Sequence, residues 1–319
     1  MSSYEPKIKN ISTIFKKNKT GPIILGVISI KGGVGKTTTT AYLSRVAAKL
    51  GLKTAAVELN WINNPNLASI VFEDIAHKGG INSFVTKEGI NTSAFSQSAE
   101  FPDLLRYYLV RYDDWEKENT IDNDEETLDA QLKIINAFRG TDYDLVALDF
   151  PNYGSRRGGL IPMLETDHRV IVAERGNAAM STVSKIAHGI VNLTRENYDI
   201  ERAKQRILLI NRVEEESSSL KRGIAYLFDE RRVDKARREF ERLKERLPEP
   251  GFFSDSVYYI QDLEDVTSAT AVGDIAAIDR VEKFKKIMYP ILGDVLSHAT
   301  TYQKQRSKRK WKMNMIVLI

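Results

Sequence analysis

The chain of 319 residues contains no cysteine and no long uncharged apolar run. The absence of cysteine excludes disulfides, thiol nucleophiles, Cys-ligated zinc sites and iron-sulfur clusters. Its apolar stretches fall short of the roughly 20 residues that a membrane-spanning helix needs. Near the N-terminus the isoleucines are dispersed among lysines and do not form the apolar region of a secretory signal. These absences favour a soluble, cytoplasmic protein.

The composition is that of an ordinary globular protein, with 42% hydrophobic and 28% charged residues. Such a chain can bury a sizeable core, as one large domain or two small ones. Disordered and collagen-like classes are excluded. The four histidines are scattered without metal-ligand spacing, so we expect none of them to be a ligand or a catalytic base. They are His77, His168, His188 and His298.

The small net charge of +4 conceals an uneven distribution. Residues 1–20 carry five lysines and one glutamate, whereas residues 301–319 carry six basic residues and no acid. The 280 residues between them have a net charge of −6. Positive charge is therefore concentrated in the two terminal segments, where nucleic acid or anionic lipid could bind.

The apolar pattern predicts an α/β fold. Pro22 to Ile30 is a nearly continuous β-branched run typical of a buried strand, Thr37 to Leu50 has helical spacing, and Lys53 to Glu58 is a second strand. Strand, glycine turn, helix and strand form a βαβ unit with parallel strands. Three further buried strands extend the open, mostly parallel sheet: Leu145–Phe150, Arg169–Glu174 and Arg206–Asn211.

Two segments are too long for simple connections and are predicted to be insertions, mainly helical, at about 80–142 and 214–250. The first contains nine acids between Asp113 and Asp129, as a solvated face or as a site for a basic partner. Within the second, residues 221–247 form an amphipathic helix that is packed on the sheet or contacts phosphates. The predicted organisation is a basic arm over 1–21, a nucleotide-binding domain over 22–300 and a basic tail over 301–319.

A phosphate-binding loop lies between the first strand and the first helix. Glycines allow the backbone N–H groups of the loop to point inward, and the following helix adds its positive N-terminal end. Lys36 is expected to reach the β and γ phosphates, and the Thr37 hydroxyl to bind Mg²⁺. The loop comprises Lys31, Gly32, Gly33, Val34, Gly35, Lys36, Thr37 and Thr38.

A lysine opens this loop, and Ile30 stands where the common G-x-x-x-x-G-K-[ST] pattern has glycine. The run VISIKGGVGKTTTTAYLSRVAAKLGLKTAAVELN resembles the deviant Walker A ATPases of the ParA/MinD family. The resemblance implies a P-loop NTPase in which two subunits sandwich two ATP molecules. Lys31 would then reach across to the phosphates bound by the partner, with ATP binding driving dimerisation and hydrolysis reversing it.

Further residues follow from the same resemblance, which covers roughly residues 23–75, 143–212 and 255–298. Asp149, at the end of the run LVALDF, corresponds to the Walker B aspartate, which binds Mg²⁺ through water. Residues 151–155 correspond to the switch segment that follows. Asn211 corresponds to the asparagine that contacts adenine, and Arg212 lies beside it in the nucleotide site.

One departure from the family pattern concerns the hydrolysis step. The family carries Asp-x-Asp-Pro after the second strand, where the second aspartate orients the attacking water, but this chain has Glu58-Leu59-Asn60-Trp61. The amide of Asn60 can hydrogen-bond a water but cannot act as its base. Because phosphoryl transfer is catalysed mostly by positioning and charge stabilisation, we expect slow hydrolysis rather than none.

The C-terminal sequence QKQRSKRKWKMNMIVLI leaves three alternatives: nonspecific DNA binding, a membrane-surface anchor, or a disordered tail. The resemblance favours a ParA-like ATPase for plasmid or chromosome partition that is nucleoid-associated and stimulated by a ParB-like centromere-binding protein. A MinD-like membrane-associated positioning ATPase and a non-hydrolysing ATP-gated scaffold are the alternatives. The expected cofactors are ATP and Mg²⁺.

Overall fold

The structure is a computed structural model. The structure describes residues 5–29, 31–59, 66–76, 84–86, 89–110, 124–152, 165–174, 183–184, 187–188, 206–213, 238, 241–242, 245, 257–261 and 263–316. For residues 124–128, 206, 210–213, 261 and 300–316 the description is limited to the backbone.

Six helices and ten strands are numbered here in chain order within these residues. The helices are α1 (Glu5–Asn18), α2 (Lys36–Lys49), α3 (Leu67–Ile70), α4 (Asp124–Arg139), α5 (Glu264–Ala271) and α6 (Glu282–Ile316). The strands are β1 (Ile23–Ile28), β2 (Thr54–Glu58), β3 (Val85–Thr86), β4 (Gly89–Ile90), β5 (Ser96–Gln97), β6 (Leu105–Tyr108), β7 (Leu145–Asp149), β8 (His168–Glu174), β9 (Arg206–Val213) and β10 (Val257–Gln261).

Eight of the strands form one twisted-sheet layer in the order β10-β9-β8-β1-β7-β2-β6-β5. All neighbouring pairs are parallel except β5 with β6, and β3 with β4 forms a separate small hairpin. The predicted fold class, an open, mostly parallel sheet flanked by helices, is confirmed. Because parallel strands end at the same edge, the residues that follow β1, β7, β8 and β9 are brought together.

Alternate residues of the strands face two separate hydrophobic layers. Ile23, Leu25 and Val27 of β1 pack toward α1, α2 and α6, whereas Ile24 and Ile28 pack on the other face toward α4. This period of two is the geometry of an extended chain that is covered on both sides. It explains why β1 is apolar at nearly every position.

The basic N-terminal segment, predicted as an arm over residues 1–21, is helical over Glu5–Asn18. It forms α1, which packs on α6 with Ile8 and Phe15 buried. Gly293 of α6 lies opposite Ile8, where a Cβ would make an ordinary van der Waals contact at 3.4 Å. The apolar residues of α1 are dispersed among lysines in the sequence, but they recur at helical spacing and therefore share one face of the helix.

The region predicted as a helical insertion over 80–142 also contributes to the central sheet. It contains β5 and β6, and β6 pairs in parallel with β2. The strand is short and includes Arg106, which weakens its apolar signal. The guanidinium of Arg106 packs 4.1 Å from the ring centroid of Phe95, so the charged residue covers an aromatic surface.

Other predicted features fall partly or wholly outside the described residues. The helix expected over 221–247 and most of the acidic run belong to this group. At the C-terminus, the backbone of α6 is helical through Ile316, so the predicted tail boundary at residue 301 lies within a continuous helix. Among the described residues, no helix is both long and apolar enough to cross a membrane.

A buried arginine connects α2 to two distant parts of the fold. Arg45 is only 1% exposed, and its Nη2 donates to Asp279 Oδ2 at 3.0 Å and also contacts Glu100. Its Nη1 lies 3.6 Å from Asp74 Oδ1. The hydroxyl of Tyr42 donates to the second oxygen of Asp279 at 2.9 Å. Arg45 thereby fixes the helix that begins at the phosphate loop.

We expect Arg45→Ala to lower the free energy of unfolding by about 3–5 kcal/mol, because it leaves the buried carboxylate of Asp74 without its cation and removes one cation from Asp279. Urea denaturation followed by circular dichroism measures this loss. Lys133→Ala is the control, since Lys133 forms an exposed ion pair with Asp129 on α4. A loss for Arg45→Ala as small as that of the control would contradict the structural role of this arginine.

Candidate functional site

The loop between β1 and α2 has the backbone of a phosphate cradle. Gly33 and Gly35 have φ angles of 76° and 91°, in the left-handed region that favours glycine. A Cβ added at Gly32 would come within 3.1 Å of the Asn152 side chain. Gly35 directly precedes Lys36, the first residue of α2. The loop therefore ends at the N-terminus of a 14-residue helix, where free N–H groups favour anions.

Asp149, at the end of β7, contacts both polar residues that begin α2. Lys36 Nζ donates to Asp149 Oδ1 at 3.1 Å, and the Thr37 hydroxyl donates to Oδ2 at 2.8 Å. The Asp149 side chain is fully buried, and Lys36 and Thr37 are nearly so. A buried carboxylate is tolerated because it has both a cation and a hydroxyl donor.

These residues fit a magnesium nucleotide. A hydroxyl oxygen and a carboxylate oxygen 2.8 Å apart are the hard donors that Mg²⁺ prefers, so Thr37 and Asp149 would hold the ion. Lys36 would contact the β and γ phosphates. Within the described residues, no group of three or more His, Cys, Asp or Glu side chains is arranged to hold a metal by itself.

A second hydrogen-bonded group connects the loop to the segment after β7. The buried hydroxyl of Ser29 lies 3.0 Å from the backbone oxygen of Lys31 and 3.2 Å from Asn152 Oδ1. Asn152 belongs to the predicted switch segment, of which residues 151–152 are described. Sequence patterns singled out neither Ser29 nor Asn152. Their juxtaposition depends on β1 and β7 being neighbours in the sheet.

Lys31, which opens the loop, points to the end of a different strand. Its Nζ forms an ion pair with Glu174 Oε2, and its side chain is 69% exposed. Glu174 is the last residue of β8, the strand on the other side of β1. Glu174 could not be recognised from the sequence as a partner of Lys31, because nothing in the sequence shows that β8 lies next to β1.

Glu58 is part of the same edge but is not a surface acid. It lies opposite Asp149 in the register of β2 and β7, and its side chain is fully buried. Burial, together with the negative charge of Asp149, raises its pKa to about 8, although backbone N–H donors oppose this shift. Burial and the neighbouring charge of Asp149 thus both disfavour ionisation of Glu58.

The structure describes some of the remaining predicted site residues in full, others only at the backbone, and Asn60 not at all. Val34 is buried and Thr38 lies in the first turn of α2. Asn211 and Arg212 lie on the backbone of β9, and Asn211 is in register with Glu174 of β8. Their side chains, and the whole of Asn60, lie outside what the structure describes. Their assigned contacts stay predictions.

A family model described as the CobQ/CobB/MinD/ParA nucleotide binding domain matches residues 25–246. This range covers well over half of the chain and includes the loop, Asp149 and Asn211. The chain belongs to this family. The ParA/MinD resemblance read from the loop is thereby confirmed, and the CobQ/CobB/MinD/ParA assignment agrees with the parallel sheet.

Solved structures of the CobQ/CobB/MinD/ParA type share the fold. A McdA variant of Cyanothece in complex with ATP has 12% identity and a TM-score of 0.58, covering 89% of this chain and 96% of its own. A ParA family ATPase of Chlorobium tepidum has 12% identity and a TM-score of 0.56, covering 86% and 98%. The septum site-determining protein MinD of Pyrococcus horikoshii, complexed with Mg-ADP, has 16% identity and a TM-score of 0.53, covering 87% and 95%.

At such identities these structures establish the fold alone. No curated protein matches the chain.

We expect Lys36→Ala to weaken binding of a fluorescent ATP analogue by roughly ten- to a hundredfold, since it removes a charge-assisted contact with phosphate. Titration in the presence of Mg²⁺ measures the dissociation constant. Lys133→Ala, which removes an exposed lysine on α4, is the matched control. Circular dichroism must show that the Lys36 variant is folded, because its substitution leaves Asp149 without a cation. Unchanged affinity in a folded variant would refute the site.

Proposed function

We propose that this chain is a ParA-like ATPase of plasmid or chromosome partition. In this function Mg-ATP drives formation of a sandwich dimer that binds DNA nonspecifically in the cytoplasm, on the nucleoid. A ParB-like partner then stimulates slow hydrolysis. The observation that carries the proposal is the buried set of Lys36, Thr37 and Asp149 behind a glycine loop, which offers a cation for phosphate and oxygen donors for Mg²⁺.

Two further observations support this choice of reaction. Similar folds have been solved with Mg-ADP, in MinD, and with ATP, in McdA. Lys31 extends from the loop with most of its side chain exposed, so a second subunit can reach it. The family resemblance assigns this lysine to the phosphates of the partner. The neutral amide at Asn60 supports slow rather than rapid turnover.

The nucleotide part of the proposal predicts dimerisation with Mg-ATP but not with Mg-ADP, as measured by light scattering after size-exclusion chromatography.

Intrinsic hydrolysis is expected to be slow. Asn60→Asp is expected to raise kcat by at least about tenfold, because it restores a carboxylate. Lys31→Ala should still bind nucleotide but should not hydrolyse it. Rapid hydrolysis by the wild-type protein alone would contradict the role given to Asn60. ATP-dependent dimers without any turnover would favour the scaffold alternative.

The packing of α1 supports DNA over a membrane as the surface that this helix binds. An amphipathic helix enters a bilayer through its apolar face, but Ile8 and Phe15 of α1 are buried in the protein core. The exposed face retains Lys7, Lys9 and Lys17. Although Ile14 is also exposed on this helix, the exposed residues are mainly charged or polar, which suits the phosphate backbone of DNA.

This part of the proposal predicts that the combined substitution Lys7→Gln, Lys9→Gln and Lys17→Gln weakens binding to random-sequence DNA. The slope of log K against log salt should become shallower by roughly 0.9 for each lysine that contacts a phosphate. Fluorescence anisotropy across a salt series, with ATP present, measures both quantities. Lys133→Gln on α4 is the control. Binding to anionic vesicles without binding to DNA would favour the MinD-like alternative.

A further inference from the structure

The side chain of Asn152 lies against the first residues of the phosphate loop. A Cβ added at Gly32 would come within 3.1 Å of Asn152 Nδ2. The φ angle of Gly32 is not in the left-handed region, unlike those of Gly33 and Gly35. Backbone conformation therefore does not require a glycine at position 32. The close approach of the Asn152 amide does favour one, because a Cβ there would push the amide away from the loop.

A contact with Ser29 fixes the direction in which the Asn152 amide points. The Ser29 hydroxyl lies 3.2 Å from Asn152 Oδ1, so the Nδ2 end of the amide faces the loop. Ser29 is buried directly after β1, and Asn152 follows β7, the strand that pairs with β1. Two neighbouring strands thus position this side chain. An amide nitrogen can only donate hydrogen bonds, so a donor faces the phosphate loop.

The same amide lies on the metal side of the loop. Asp149, which together with Thr37 offers oxygen donors to Mg²⁺, ends β7 just before Asn152. Mg²⁺ on a nucleoside triphosphate bridges oxygens of the β and γ phosphates. The backbone N–H groups of such a loop hold the α and β phosphates, which ATP and ADP share. A donor beside the metal residues and against Gly32 therefore faces the phosphate that only ATP carries.

We propose that Asn152 Nδ2 donates a hydrogen bond to the terminal phosphate of bound ATP, so that the site distinguishes ATP from ADP. The inference rests on the proposed function, because it requires a nucleotide in this loop. Ser29 is a positioning residue, since it contacts the amide oxygen of Asn152 and turns the nitrogen toward the loop. A neutral amide suits this place, whereas a carboxylate would repel the phosphate.

Asn152→Ala tests this contact by removing the donor. We expect the affinity for the non-hydrolysable ATP analogue AMPPNP to fall about tenfold, because a hydrogen bond to a charged group is lost. ADP lacks the terminal phosphate, so its affinity should stay unchanged. Isothermal titration calorimetry with Mg²⁺ measures both dissociation constants. The protein concentration is kept where light scattering shows a monomer, so that dimerisation does not contribute to the affinity.

Two further variants test the chemistry of the contact. Asn152→Asp keeps the shape of the side chain but places a carboxylate against the phosphate. It should therefore weaken AMPPNP binding more than Asn152→Ala does. Ser29→Ala removes the hydroxyl that orients the amide, and we expect it to weaken AMPPNP binding about threefold without changing the ADP affinity. Ser29→Ala carries the test if neither Asn152 variant folds.

Asn18→Ala is the matched control at the other edge of the sheet. Asn18 Nδ2 donates to the backbone oxygen of Ile14 at 2.7 Å, so this variant also removes an asparagine amide that donates a hydrogen bond. Its neighbour Lys19 pairs with Asp144, just before β7 and at the end of that strand away from Asp149. We expect Asn18→Ala to bind AMPPNP and ADP as the wild-type protein does.

The outcomes separate this inference from the proposed function. Equal losses of AMPPNP and ADP affinity in the Asn152 variants would mean that Asn152 supports the loop as a whole, which overturns the inference. Unchanged AMPPNP affinity in a folded Asn152→Ala or Asn152→Asp protein overturns it as well, and leaves the proposed function standing. A wild-type protein that binds neither nucleotide in the presence of Mg²⁺ overturns the proposed function itself.

Discussion

The contact of Asp149 with Lys36 and Thr37 organises the nucleotide edge of this protein. A fully buried carboxylate is costly unless a cation and hydrogen-bond donors surround it. Here both come from the first two residues of α2, so the end of β7 is joined directly to the start of that helix. The same helix carries Arg45, whose buried ion pairs connect it to residues near α6. Helix α2, which follows the phosphate loop, is therefore held by two ionic contacts, one at its first residue, Lys36, and one at Arg45 in its second half.

The neighbouring acid, Glu58, has the opposite environment. Glu58 lies beside Asp149 in the sheet but pairs with no cation among the described residues, and burial raises its pKa to about 8. Two adjacent buried carboxyl groups thus have different roles: one is paired with Lys36 beside the loop, and the other accepts backbone amides. Their different environments, rather than their positions in a motif, separate these roles.

Local patterns predicted the β1, loop, α2 and β2 unit and the strand that carries Asp149, because these depend on periodicity and on glycine conformation, whereas the role of Asp149 followed from the family resemblance. They missed contacts that arise only when strands become neighbours. Glu174 meets Lys31 because β8 lies beside β1, and Asn152 meets Ser29 because β7 lies on the other side. They also missed β6, because Arg106 interrupts its apolar pattern while its guanidinium covers Phe95. The lysines of α1 similarly concealed its apolar face.

The location of α1 constrains how DNA binding could respond to ATP under the proposed function. Lys16 and Lys19 near the end of α1 form ion pairs with Asp144, which precedes β7, and Ser12 contacts the end of α2. This end of α1 therefore lies at the sheet edge opposite Asp149 and the phosphate loop. A bound nucleotide cannot contact these lysines directly. Two copies of a weak phosphate-binding surface, joined in one dimer, bind a polyanion far more tightly than either alone. Dimerisation is accordingly the simplest way in which ATP bound at the nucleotide edge could strengthen DNA binding by the lysines of α1.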